Sequence, residues 1–217
     1  MKGLLAACLV LFCLPAAAVD NPFAIDKIPD FVVKPATRAV IRQLREGGFV
    51  LFMRHARTDI SHPDQLPRID LNDCTTQRQL SEAGRRDAAK IGRYFRRAHI
   101  PVGEVYTSPI CRARDTAQAA FGNDYIVENR LMFTASLTDA EKAPIIEYTR
   151  QLVSAPVEAH TNRVVVAHAE NLMEIMNYLP KPEGVVVILL PLGDKRFKYI
   201  ASVPPDQWKY LIYGAGD

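Results

Sequence analysis

Phe49-Val50-Leu51-Phe52-Met53 is an unbroken apolar run, and Arg54-His55 follows it directly. A run of that length, rich in β-formers, predicts a strand buried on both faces. Gly47-Gly48 precedes it and closes a helix expected over residues 36–46, since glycine commonly follows a helix C-terminus. The same grammar recurs at Arg163-Val164-Val165-Val166-Ala167, again followed at once by a histidine, His168.

Between these two strands the chain alternates. Residues 56–79 carry scattered polar residues with Pro63 and Pro67 and read as a long loop of the kind that forms functional rims. Ser81 caps a helix reaching residue 98, with Ala88, Ile91, Tyr94 and Phe95 as its apolar stripe. A strand over 102–107 ends at Ser108-Pro109, a helix covers 110–121, and a short strand covers 125–127. Another helix is expected over 139–152, begun or broken near Pro144. Beyond His168 come a helix over 171–178, a hairpin of strands 185–190 and 197–203 around Gly193, and a last helix over 204–211 pinned by Trp208. Strands alternating with helices define an α/β chain, a mostly parallel sheet covered on both faces with an antiparallel edge.

The 217 residues suit one domain, and the net charge of +3 does not suggest a nucleic-acid partner. Residues 1–18 have the layout of a signal peptide: Lys2, a short apolar stretch, Pro15, and a small-residue cleavage site at Ala16-Ala17-Ala18. The stretch is too short to span a bilayer. Leu5-Ala6-Ala7-Cys8 has the form of a lipoprotein box, but almost no apolar region precedes it. The expectation is therefore a single domain over residues 19–217, exported to the periplasm without stable membrane insertion. Cys8 and Cys13 leave with the leader, and Cys74 and Cys111 are expected to pair in an oxidising compartment.

In such sheets ligands bind beyond the carboxyl ends of the strands. Here those ends carry Arg54-His55, Ser108-Pro109 and His168. Arginine presents a planar fork matched to two phosphate oxygens, and cationic neighbours keep a histidine neutral and nucleophilic. Arg54 and Arg112 are the arginines expected at the phosphate, with Arg57 either joining them or covering the pocket rim. Arg112 in the first turn of its helix opposes the helix dipole, a local conflict of the kind that marks function. His168 supplies a second imidazole for a transferring phosphoryl group. No cluster has zinc-ligand spacing, and neither metal nor cofactor is expected.

These residues make the chain similar to the histidine phosphatase superfamily, whose phosphoglycerate mutase-like members carry Arg-His-Gly with a Thr shortly after. Here the motif is Arg54-His55-Ala56-Arg57-Thr58, with alanine where glycine is usual. Ser108-Pro109-Ile110-Cys111-Arg112 with Asp115-Thr116-Ala117 resembles the family's Ser-Pro…Arg…Thr-Ala segment. Ala167-His168 with Asn171 resembles its late Gly-His-x-x-Asn segment. Asp73-Cys74 through Gln77-Arg78, and Leu80-Ser81 to Gly84-Arg85, are similar to exported bacterial members, including those acting on lipopolysaccharide core heptose phosphate.

The resemblance implies a three-layer α/β/α sandwich, a phosphohistidine at His55, and Arg54, Arg112 and His168 on the phosphate. We place Thr58 and Asn171, which belong to the matching motifs, in the phosphate-binding set. The general acid is open: Glu170 is one candidate, and Glu128, Asp139 and Glu141 are the others. The leading expectation is a periplasmic phosphomonoesterase acting on a small phosphorylated substrate, with an envelope sugar phosphate as the finer reading. A phosphate-binding module that lost its acid and a phosphomutase are the alternatives. Oligomeric state and natural substrate are not legible.

Overall fold

The computed structural model describes residues 31–65 and 69–214; the leader expected at residues 1–18 lies outside them. The central strand β1 (Val50–Arg54) runs parallel to β4 (Asn162–Ala167) on one side and antiparallel to β5 (Val186–Pro191) on the other. With β2 (Val102–Thr107), β3 (Ile126–Val127) and β6 (Phe197–Val203), the sheet order is β3-β2-β4-β1-β5-β6. The sheet is thus mostly parallel with an antiparallel edge, as the alternation of elements required.

Strand periodicity divides the core. Leu51 and Met53 of β1 and Val164 and Val166 of β4 face α1 (Arg38–Leu44), α2 (Glu82–Arg97), α3 (Cys111–Phe121) and α6 (Trp208–Tyr213). Val50, Phe52, Val165 and Ala167 face α4 (Asp139–Ser154) and α5 (Ala169–Met176). Every residue of β4 is buried, which is why its sequence has no polar alternation. Trp208 is fully buried and packs on Phe95 with ring centroids 5.0 Å apart, fastening α6 to α2. Burial of each large side chain of this kind is worth about 1.5–3 kcal/mol.

Capping residues set two helix boundaries. Thr138 and Glu141 form a reciprocal capping box, so α4 starts at Asp139 and runs through Pro144. Asn177 takes the left-handed conformation, φ 55°, and ends α5 at Met176, two residues short of the expected 178. Among the described residues no helix is long and apolar enough to cross a membrane.

α2 fixes the approach to the carboxyl ends of the strands. Ser81 N–H and Oγ–H both donate to the carbonyl of Arg57, at 3.0 and 3.2 Å. A Cβ at Gly84 would lie 1.9 Å from that same carbonyl oxygen, so only glycine lets the helix come this close.

Candidate active site

The register of the central strands brings two histidines together. Arg54 is paired with Ala167, and the ladder continues one step further with His55 N–H donating to the Ala167 carbonyl at 2.9 Å. His55 and His168 therefore leave neighbouring strand ends side by side, their ring centroids 5.5 Å apart. Both are buried. Ser108, at the end of β2, places its Oγ 2.8 Å from His168 Nε2.

His55 is held in one tautomer. Its Nδ1 lies 3.0 Å from the Ala56 carbonyl oxygen, which only accepts, so Nδ1 carries the proton and Nε2 keeps its lone pair. Ala56 is in turn anchored to α3, its N–H donating to Thr116 Oγ1 at 2.9 Å. Burial pushes the His55 imidazole well below its ordinary proton affinity, and the charges of Arg112, Arg54 and Arg78 push the same way. His168 is lowered for the same reasons, burial first and then Arg112. Neutral, with its lone pair fixed, His55 has the state a nucleophile needs.

Three guanidinium groups surround the imidazoles. Arg112 has a fully buried side chain, and its Nη1 donates to both oxygens of Asp64 at 2.9 and 3.2 Å. That pair answers the conflict with the helix dipole. Arg54 Nη1 donates to the Pro180 carbonyl at 3.0 Å, and Nη2 lies 3.6 Å from Glu183. Arg78 approaches the same carboxylate at 3.8 Å. The carboxylates thus hold outer nitrogens. Arg54 Nε, Arg78 Nε, Arg112 Nε and Arg112 Nη2 are buried with no hydrogen-bond partner among the described residues. Leaving a buried donor unsatisfied costs about 1–3 kcal/mol. On Arg112 the free Nε–Nη2 edge is the fork that fits two oxygens of one phosphate.

Three residues assigned to phosphate contact are placed otherwise. Arg57 is exposed and turns outward to Asp87, 2.6 Å away, because the backbone beneath it is held by Ser81. Thr58 is buried but directs its N–H and its hydroxyl to Glu183, both at 3.0 Å. Asn171 accepts from His168 N–H at 3.0 Å and donates to the Met132 carbonyl at 3.2 Å, so its amide sits behind the imidazole.

Among the acid candidates, Glu128 is bound by Arg130, which holds its carboxyl down to about 2. Glu141 is engaged in the cap of α4, and Asp139 is exposed in the same first turn. Glu170, in the first turn of α5, acts electrostatically on both Arg54 and Arg112.

Arg78, Asp64, Glu183 and Phe133 are additions that motif reading did not assign to the site. Glu183 arrives because β5 runs antiparallel to β1, which puts the turn before β5 beside the end of β1. Gly184 N–H donates to the His55 carbonyl at 2.9 Å, and Arg54 N–H to that of Val185 at 3.1 Å. Phe133 stands edge-on to His168, centroids 5.5 Å apart, with Arg112 Cζ 5.3 Å from its ring centre. It forms an apolar wall.

The loop between Asp59 and Leu80 is fastened to the first turn of α3. Cys74 and Cys111 form a disulfide, closing 37 residues of chain, which by loop entropy alone stabilises the fold by about 4 kcal/mol. Gln77 Oε1 accepts from Cys111 N–H at 2.8 Å, capping α3 from outside, and the Asp64–Arg112 pair is the third link.

A strand-end histidine pair ringed by buried guanidinium groups, on a mixed six-stranded sheet covered by helices, defines a histidine phosphatase fold. Residues 50–133 match the family described as histidine phosphatase superfamily (branch 1). The protein histidine phosphatase SixA complexed with tungstate superposes with a TM-score of 0.51 at 13% identity, over 73% of this chain and 98% of that one. A mycobacterial glucosyl-3-phosphoglycerate phosphatase gives 0.48 at 18% identity, over 71% and 98%. No curated protein matches the sequence.

Proposed function

We propose that this protein is a phosphatase in which His55 takes the phosphoryl group from a small phosphate monoester. The observation that carries the reading is the set of buried, unpartnered guanidinium nitrogens of Arg54, Arg78 and Arg112 around a neutral imidazole of fixed tautomer. These donors suit the equatorial oxygens of a phosphoryl group, whose transfer requires little beyond position and charge stabilisation.

His55 Nε2 attacks phosphorus, the bond to the leaving oxygen breaks, and that oxygen takes a proton from a general acid, for which Glu170, close enough to act electrostatically on Arg54 and Arg112, is the candidate. Water then attacks the phosphohistidine, its proton passing back to that acid, and inorganic phosphate leaves with His55 neutral again. His168, held by Ser108 and Asn171, flanks the phosphoryl group. Thr58 positions Glu183 between Arg54 and Arg78.

The resemblance of residues 73–85 to exported family members supports a periplasmic enzyme acting on an envelope sugar phosphate. The disulfide accords with an oxidising compartment. His55→Ala is the decisive variant. It should keep the fold, lose turnover by roughly 10⁴-fold or more, and form no acid-labile phosphoenzyme. Turnover at the wild-type rate in that variant rules the mechanism out. A panel of envelope and cytoplasmic phosphate esters assayed beside it identifies the substrate class; binding without hydrolysis of any ester would favour the binding-module reading.

A further inference from the structure

The two halves of α2 differ in charge pairing. In the first half Arg85 pairs with Asp115 and Arg86 with Glu82, while Asp87 receives Arg57. From Ala88 to Gly103 the sequence has no acidic residue, yet it carries Lys90, Arg93, Arg96 and Arg97. These four cations line an open groove of about 810 Å³ with Tyr94 and Tyr213, and no carboxylate among the described residues lines it. None of the four forms an ion pair among the described residues; Lys90 Nζ lies 6.0 Å from the centre of the Tyr94 ring and Arg97 Cζ 5.6 Å from that of Tyr213. On α6 beside it, Tyr210 and Tyr213 are 48% and 42% exposed.

We propose that this groove docks the protein on an anionic phospholipid surface. Lys90, Arg93 and Arg97 follow helical spacing and present charge along one side of α2, which suits a plane of phosphate headgroups. Tyrosines at such a rim have the amphipathic character that favours the headgroup layer. Among the described residues no acid balances this charge. The groove lies toward the far end of α2 from Ser81 and Gly84, the residues that meet the catalytic backbone at Arg57, so docking leaves the histidine pair untouched.

The test is co-sedimentation of the whole protein with vesicles of neutral phosphatidylcholine and with vesicles containing about 30% phosphatidylglycerol, at low and raised salt. Binding is expected on the anionic vesicles only and should fall with salt. The triple variant Lys90→Gln, Arg93→Gln, Arg97→Gln should bind roughly 100-fold more weakly while hydrolysing a soluble ester normally. A second triple variant, Lys195→Gln, Arg196→Gln, Lys198→Gln, makes the same change in net charge on the β5–β6 turn and the start of β6 and should bind as the wild type does. Equal loss in both triples, equal binding to neutral vesicles, or no binding to anionic vesicles overturns the proposal. The activity assay separates that failure from failure of the phosphatase reading.

Discussion

His55 and His168 hang from the two central strands of a sheet, whereas Asp64 and Arg78 hang from a loop tied down at a few points. The first pair is placed by continuous backbone register, from Val50–Arg163 to Arg54–Ala167 and on to His55. The second is placed by a disulfide, a cap and the ion pairs of Asp64 with Arg112 and of Arg78 with Glu183. Damage to the strand half should therefore stop the chemistry, while damage to the loop half should loosen binding and leave the chemistry intact.

The hardest blow to both halves is Arg112→Ala, since Arg112 joins them. It removes the free fork and leaves Asp64 with the Arg78 N–H alone, at 2.8 Å, so kcat/KM should fall about 10³-fold. Stability in urea should fall by about 3 kcal/mol, because a largely buried carboxylate loses its ion-pair partner. The double variant Cys74→Ser, Cys111→Ser frees only the loop. It should lose about 2–4 kcal/mol, with KM rising roughly tenfold and kcat changing less than about threefold. A collapse of kcat comparable with that of His55→Ala would erase the distinction between the halves.

Acid should act through the strand half. Both imidazoles titrate below their ordinary value of 6.5 in the folded protein, so the unfolded chain takes up protons first as pH falls. The stability they contribute is complete above pH 6.5 and is lost between there and the depressed folded values. Replacing His55 with Asn removes one of these protons. Denaturant titrations across that window should show the variant's slope shallower than the wild type's by up to about 1.4 kcal/mol per pH unit. The smallest effect belongs to Arg57→Ala, which breaks an exposed ion pair away from the histidine pair. Activity should stay within about twofold and stability within about 1 kcal/mol.

The same division explains what could be read from the sequence. Apolar runs ending on His55 and His168 announced both the strands and the site, because a buried parallel strand leaves its mark in consecutive residues. The Arg112 signal came from its awkward place in a helix first turn. Arg78 lay inside a stretch singled out for its resemblance, but nothing local said where its side chain would go. Asp64 depends on how the loop folds back, and Glu183 on the antiparallel pairing of β5 with β1. Those are tertiary facts. Arg57 and Thr58 show the reverse case: a motif says that they lie near the site but not which partner they take, and here Asp87 and Glu183 claim their polar groups. Asn171 likewise serves the backbone of His168.

The hydrogen bond from His55 Nδ1–H to the neighbouring carbonyl has a regiochemical consequence. With the proximal nitrogen committed to Ala56, the phosphorylated ring must be the isomer substituted at its distal nitrogen. The imidazolium created by that substitution keeps its remaining N–H on the same carbonyl, so the ring need not turn over between charging and discharge. Phosphorus NMR of trapped protein, or an isomer-selective antibody, would display one chemical form of the modified histidine and never its positional twin.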